Sequence, residues 1–323
     1  MIKTRVAVLR GGPSSEYEVS IDTGESVISA LDPEKYQAVD VFIDRQGVWH
    51  VGGIPKQPKA ALSGIDIVWN ALHGEYGEDG KVQMLLENLG VPYTGSRAVP
   101  SAIAMNKALT KKSLVDSGVK CVQYRLLKKD DPLAGDPHGL FKIIPIPSVV
   151  KPVSAGSSVG VSIVRSFADI PAALAKAFDV DDDILIEEYI SGKEATCGVV
   201  EDFRGEDIYA LPPIEIIPAD IHGFFSYDAK YGGGTREVCP CDLPEDVKRE
   251  IERQAALVHR TLGLSHYSRS DFIVHPKRGI YFLEANTLPG LTKESLMPKA
   301  LRAVGSDLSE FLDHVITIAR KGK

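Results

Sequence analysis

Arg269-Ser270-Asp271 and Glu284-Ala285-Asn286 are the stretches whose residue types and spacing most directly suggest chemistry. Each lies in an apolar run that reads as a strand, Tyr267 to His275 and Ile280 to Asn286, with Pro276-Lys277-Arg278-Gly279 between them as a turn signal. A hairpin closing symmetrically on that turn pairs His275 with Ile280, Asp271 with Glu284 and Arg269 with Asn286. Side chains alternate along a strand, so the four polar groups share one face. Phe272, Val274, Tyr281, Leu283 and Ala285 then take the other face as core. Carboxylates directly opposite each other repel. A divalent cation between them reverses that sign, and an Asp/Glu/Asn oxygen set suits hard Mg²⁺. The alternative is a solvated face carrying an ion pair.

Four further constellations have chemical potential. Lys151 ends a strand and leads into Pro152-Val153-Ser154-Ala155-Gly156-Ser157-Ser158-Val159-Gly160, a small, hydroxyl-rich loop. Backbone N–H groups in such a loop approach an anion closely and the lysine adds a point charge, although a simple hairpin turn fits the pattern as well. The lysine precedes the glycines, which excludes a Walker A loop. Glu187-Glu188-Tyr189-Ile190-Ser191-Gly192-Lys193-Glu194 offers acceptors beside an apolar linker, for an amino group and hydroxyls, or forms a charged strand edge. Lys230-Tyr231-Gly232-Gly233-Gly234 reads as a mobile loop, with or without a role over a site. Glu16 sits where the first strand meets the first helix, at the carboxyl edge where α/β sheets bind ligands, and could equally favour the helix N-terminus. His73, after another strand, points to the same edge or is a turn histidine.

The elements that must position these residues come in three segments. Residues 1–97 alternate strand and helix: Val6–Leu9, a helix to about Leu31, Val39–Ile43, Ile65–Ala71 and a helix about Lys81–Leu89. That pattern implies a parallel sheet covered on both faces. G-x-G-x-x-G is absent, which argues against a Rossmann cofactor site. Residues 98–188 begin with a helix around Ser101–Ser117, cross a Pro/Gly-rich stretch, and continue through strand Val149–Lys151, helix Asp169–Phe178 and strand Ile184–Glu188. Residues 189–323 carry further strands, a helix Glu245–Leu262, the hairpin and two closing helices. The expected class is α/β with α+β lobes.

The chain as a whole sets limits. At 323 residues two or three lobes are expected, and a hydrophobic share of 44% with 25% charged residues is that of a soluble globular protein. A net charge of -7 argues against a nucleic-acid partner but leaves room for a local positive pocket. The longest apolar runs are strand-sized, no secretory leader is visible, and no membrane partner is expected. Cys121, Cys197, Cys239 and Cys241 give no disulfide framework, and Cys239-Pro240-Cys241 lacks metal-site spacing. The cytoplasm is the expected compartment.

Taken together, these segments resemble the D-alanine–D-alanine ligase family of the ATP-grasp superfamily, from Gly11 to about Ala303. The resemblance implies an ATP-grasp fold with an N-terminal α/β domain, a central domain and a C-terminal domain, with ATP between the last two. It implies ligation of two D-alanines through an acyl phosphate, two Mg²⁺ ions with Mn²⁺ as a substitute, and a homodimer. Carried onto this chain, it assigns Lys107 and Lys151 to ATP phosphates, with Ser157 and Ser158 above them and Lys230 at the γ-phosphate. Glu187, Glu188 and Ile190 would border adenine, and Glu194 would take the ribose. Asp271, Glu284 and Asn286 would hold the metal, and Arg269 the transferring phosphoryl group. Glu16 would meet the ammonium of the first D-alanine, with Tyr231, Ser157 and His73 beside it, and Gly290, Ser295 and Leu296 would receive the second. Ala155 departs from the family, some members of which carry glutamate there, and the Gly232–Gly234 run replaces side-chain-rich residues. The rival readings are a D-alanine–D-lactate (or other D-acceptor) ligase and an inactive ATP-binding module. Lys230-Tyr231 favours the dipeptide over D-lactate.

Overall fold

The computed structural model describes residues 3–156, 158–217 and 236–322. The first segment contains β1 (Thr4–Gly11), α1 (Tyr17–Ala30), β2 (Tyr36–Ile43), β3 (Trp49–Val51), β4 (Ile54–Lys56), α2 (Pro58–Ala61), β5 (Ile67–Asn70) and α3 (Lys81–Leu89). Its sheet runs β4-β3-β2-β1-β5. β1 is parallel to both β2 and β5, as the alternation requires. Val6-Ala7-Val8-Leu9 is fully buried, with Val6 and Val8 in one core and Ala7 and Leu9 in another. A strand covered on both faces reads as such a continuous apolar run. The sheet is not wholly parallel, because β3 and β4 add an antiparallel ribbon at its edge. Asp44 makes that reversal locally: its Oδ1 accepts from the N–H groups of Gln46 and Val48, both at 2.9 Å.

The second segment contains α4 (Ala98–Met105), α5 (Lys107–Ser113), β6 (Tyr124–Lys128), α6 (Pro137–Phe141), β7 (Ser148–Pro152), β8 (Ser162–Val164), α7 (Ile170–Phe178) and β9 (Asp183–Glu188). Its antiparallel sheet runs β6-β9-β7-β8. The single helix expected around Ser101–Ser117 is instead two. Asn106 is extended (φ -88, ψ 102) and its side chain accepts from the Leu109 N–H at 2.9 Å, which caps α5. Asparagine competes with the helix for backbone groups, so it ends one helix and starts the next. Ala104, Leu114 and Val119 pack into the core of the third segment's sheet.

That third segment contains β10 (Lys193–Phe203), β11 (Glu206–Ala210), β12 (Ile214–Ile217), β13 (Arg236–Val238), α8 (Glu245–Thr261), β14 (Tyr267–His275), β15 (Gly279–Asn286), α9 (Leu296–Ala303) and α10 (Leu308–Lys321). Its sheet runs β13-β12-β10-β14-β15, with β11 also on β10. Asp271 faces Glu284 and Arg269 faces Asn286, but the far end of the hairpin departs from symmetric closure. His275 pairs with Gly279 and Phe272 with Phe282, which leaves Leu283 as an extra residue beside the Asp271/Phe272 irregularity. The turn is therefore Pro276-Lys277-Arg278 alone. His275 Nδ1 accepts from both Lys277 N and Arg278 N at 3.0 Å, and Gly279 takes a left-handed φ of 85. A shorter loop shifts the pairing and the bulge restores it. Phe282 consequently joins Phe272, Val274 and Ala285 on the core side. Tyr281 and Leu283, expected there, turn to the opposite face with Ile273, Val122 and Ile190.

The first and third segments share one core, in which Trp69 stacks on Tyr267 at 6.1 Å between ring centroids and meets Phe311 of α10 edge-on at 6.2 Å. This sets the end of β5 against the start of β14. No helix among the described residues is long and apolar enough to cross a membrane.

Candidate active site

A cavity of about 690 Å³ opens where the three segments meet. Its floor is the hairpin. Arg269, Asp271, Glu284 and Asn286 all line it, as the shared face of β14 and β15 predicts. Arg269 donates to both oxygens of Asp271, Nε to Oδ1 at 2.9 Å and a terminal nitrogen to Oδ2 at 3.0 Å. Thr196 of β10, opposite Asp271 in register, donates its hydroxyl to Oδ1 at 2.5 Å. Burial opposes the Arg269 charge, but Asp271, with Glu284 and Glu78 beyond it, outweighs burial and raises the guanidinium pKa. The Asn286 side-chain oxygen accepts from Leu288 N at 3.0 Å, which orients the amide.

The cationic wall comes from the second segment. Lys107 begins α5, and its Nζ donates to the Ala155 carbonyl at 2.7 Å and lies 3.3 Å from Glu284 Oε2. Lys151 lies at the end of β7, with Nζ 3.0 Å from Glu187 Oε2. Burial alone would raise the Glu187 pKa, yet Lys151 and Lys111 outweigh it and hold the carboxyl below its usual range. Glu188, Ile190 and Glu194 continue this wall along the linker from β9 to β10, and Ser158 lines the loop above Lys151. Both oxygens of Glu188 accept from Arg278, at 2.6 and 3.0 Å, which lowers the Glu188 pKa.

Another part of the lining belongs to the first segment. Glu16 is the N-cap residue of α1 but makes no capping hydrogen bond with its side chain. Its Oε2 instead sits against Gly74 and Gly156, where an added Cβ would lie 2.8 and 2.6 Å away. His73 Nε2 is 2.9 Å from Thr23 Oγ1, and its Nδ1 is 3.9 Å from Glu78 Oε1. Gly290, Ser295 and Leu296, after β15, also line the cavity, and Ser295 Oγ accepts from Thr292 N at 3.1 Å.

Every described residue singled out from the sequence therefore reaches this one cavity, while Ser157, Lys230 and Tyr231 lie outside the described residues. Three contributors were missed. Glu78 is buried, accepts from Gly74 N at 2.9 Å and from the Thr287 hydroxyl at 3.4 Å, and lines the cavity. Thr196 is placed by strand register, which has no local signal. Lys111, behind Glu187, falls four residues after Lys107 and so on the same helix face, a spacing that could have found it.

Among the described residues no group of three His, Cys, Asp or Glu side chains could hold a metal. The hairpin supplies two carboxylates and an amide oxygen, a hard-oxygen set that suits Mg²⁺. In this state Arg269 and Lys107 compensate the carboxylates.

Comparison with known proteins agrees with this architecture. A family model described as "D-ala D-ala ligase C-terminus" matches residues 114–317, and one described as "D-ala D-ala ligase N-terminus" matches residues 5–58 and 52–96. The chain belongs to the D-alanine–D-alanine ligase family. The D-alanine–D-alanine ligase of Geobacter sulfurreducens is 40% identical over 318 residues, covering 98% of this chain and 94% of that one. Among solved structures, the D-alanine–D-alanine ligase of Bacillus anthracis complexed with ATP aligns with a TM-score of 0.80 at 35% identity, over 98% and 99% of the two chains. The VanG D-Ala:D-Ser ligase of Enterococcus faecalis aligns with a TM-score of 0.85 at 27% identity, over 98% and 100%. The fold is the ATP-grasp fold of this ligase family, with its parallel-sheet N-terminal unit.

Proposed function

We propose that this protein joins two D-alanine molecules to D-alanyl-D-alanine, consuming ATP, as a cytoplasmic step in supplying peptidoglycan precursors. The observation that carries the reading is the composition of the cavity: the cations Lys107, Lys151 and Arg269 line it together with a second group, Glu16, His73 and Ser295. A triphosphate needs the first and an amino acid's ammonium needs the second.

In this reading the carboxylate of the first D-alanine attacks the γ-phosphorus of ATP, ADP leaves, and an acyl phosphate forms. The amine of the second D-alanine attacks the acyl carbon, phosphate leaves from the tetrahedral oxyanion, and the amine's proton is released. Phosphoryl transfer is mainly positioning and charge neutralisation. Lys107, Lys151 and Ser158 hold the phosphates, while Arg269 faces the transferring group and the oxyanion. Glu187, Glu188 and Ile190 border the adenine, and Glu194 takes the ribose. Glu16, with His73 beside it, orients the first D-alanine through its ammonium, so its carboxylate faces the phosphates. Gly290, Ser295 and Leu296 receive the second. Asp271, Glu284 and Asn286 would hold two Mg²⁺ (or Mn²⁺), which when bound supply charge neutralisation at the β- and γ-phosphates. The functional division follows as residues 1–97, 98–188 and 189–323, assembled as a homodimer.

The test is phosphate release on mixing ATP, Mg²⁺ and D-alanine, with L-alanine as control and D-lactate and D-serine as competing acceptors. Release that depends on D-alanine, with the dipeptide as main product, supports the reading. Nucleotide binding without D-alanine-dependent release overturns it in favour of an inactive binding module.

A further inference from the structure

Behind the cationic wall lies a charged group that does not reach the cavity. Lys111 on α5 is 1% exposed, and its Nζ lies 3.2 Å from Oε1 of Glu187, itself 2% exposed. The other oxygen of that carboxylate faces Lys151 at 3.0 Å. Among the described residues, Glu187 is the one carboxylate paired with Lys111, and it is shared with Lys151. The titratable groups around Lys111 are Glu187, Lys151, Cys121 and Tyr124, whose ring centroid is 5.9 Å from the ammonium. Burial lowers the Lys111 pKa, Glu187 opposes that, and Lys151 adds to it.

A buried ammonium that shares its one carboxylate with a second lysine is an expensive way to stabilise a fold, since well-packed apolar residues often do as well. Its charge has a different use. One carboxylate between two lysines leaves a net charge of +1, and only Lys151 of the two lysines lines the cavity. We propose that Lys111 is a positioning residue for the nucleotide phosphates: by sharing Glu187, it leaves Lys151 with uncompensated positive charge at the cavity wall. Without Lys111, Lys151 and Glu187 form a neutral pair and that wall loses its attraction for anions. The inference rests on the nucleotide reading of the cavity. Lys111 itself touches no substrate.

The experiment is calorimetric titration of the full-length protein with Mg²⁺–ADP and, separately, with tripolyphosphate, which has no base for Glu187 to contact. Three proteins are compared: wild type, K111M and K111M/E187Q. One unit of charge removed from a partly screened site predicts about tenfold weaker binding of both ligands by K111M. The KM for D-alanine should change less than about twofold, as Lys111 does not line the cavity and acts only through Glu187 and Lys151. The double variant restores the net charge and should bind tripolyphosphate within about threefold of wild type. Loss of packing alone would leave it at least as impaired as K111M, and that result overturns the proposal, as does unchanged binding by K111M. If K111M does not fold, the double variant, which lacks the buried carboxylate altogether, decides by the same threefold-against-tenfold criterion. Wild-type protein that binds neither ligand removes the nucleotide reading and the proposal together. Tight wild-type binding that K111M leaves unchanged removes the proposal alone.

Discussion

A Cβ added at Gly156 would lie 2.6 Å from Oε2 of Glu16 and 3.4 Å from its carboxyl carbon. The Gly156 backbone is outside the left-handed region, so alanine is conformationally acceptable there. The obstructing atom is the end of a flexible side chain, which yields easily. G156A should therefore retain stability, or gain about 0.4–1 kcal/mol through a less flexible unfolded chain. The carboxylate, however, must retreat by about 0.8 Å to reach ordinary contact distance near 3.4 Å. Displacement of a positioning group on that scale costs on the order of 10²-fold in rate, about 2.7 kcal/mol in transition-state stabilisation. The loss should appear in kcat/KM for D-alanine, measured by phosphate release at saturating ATP, with KM for ATP nearly unchanged. Thermal unfolding monitored by circular dichroism supplies the stability arm. A G156A enzyme within threefold of wild type for D-alanine would refute the argument that this close approach sets the Glu16 carboxylate.

R269A should lower kcat by about 10²–10³-fold while weakening ATP binding far less, because the charge it meets develops during reaction. R269K should recover little, since lysine cannot reproduce the two-pronged contact with Asp271; comparable turnover in R269A would discard the role. N106A removes the α5 cap and should cost about 1 kcal/mol, read as a lower urea midpoint with unchanged slope. Burial pushes the Cys239 thiol up to about 11 and raises those of Cys121, Cys197 and Cys241. A raised thiol pKa keeps the neutral form below it, so at pH 8 only about 0.1% of Cys239 is thiolate. Iodoacetamide at pH 8 should label native protein slowly, with labelling rising towards pH 11 and becoming fast at all four positions in urea. Rapid native labelling at pH 8 would contradict this.

Much of the site was legible because strand alternation is a local code. Two polar residues spaced i and i+2 on neighbouring strands must share a face, and Arg269, Asp271, Glu284 and Asn286 do. The far end of the same hairpin was misjudged because loop length and the Leu283 bulge compensate each other. Paired residues near the site keep their partners while Tyr281 and Phe282 exchange faces. Asn106 was hidden inside an otherwise helical pattern, and only its side-chain cap reveals that the chain stops and restarts there. The β3–β4 ribbon is built from three-residue strands, too short for a periodic signal. Glu78 and Thr196 act through contacts across 209 and 75 residues of sequence, distances at which local pattern carries no information.

The packing of Trp69 against Tyr267 and Phe311 has a consequence for how the chain is made. The first sheet is synthesised well before the helix that covers one of its faces, α10, which follows it by more than two hundred residues. Tyr36 and Lys35 likewise await Asp313, and Thr4 awaits Arg320. Contacts this distant in sequence form slowly and leave apolar surface open meanwhile. The N-terminal lobe is thus a latecomer despite its position. A chain truncated after Gly305 should show red-shifted tryptophan emission and bind hydrophobic dyes, and native-like emission from it would contradict this order.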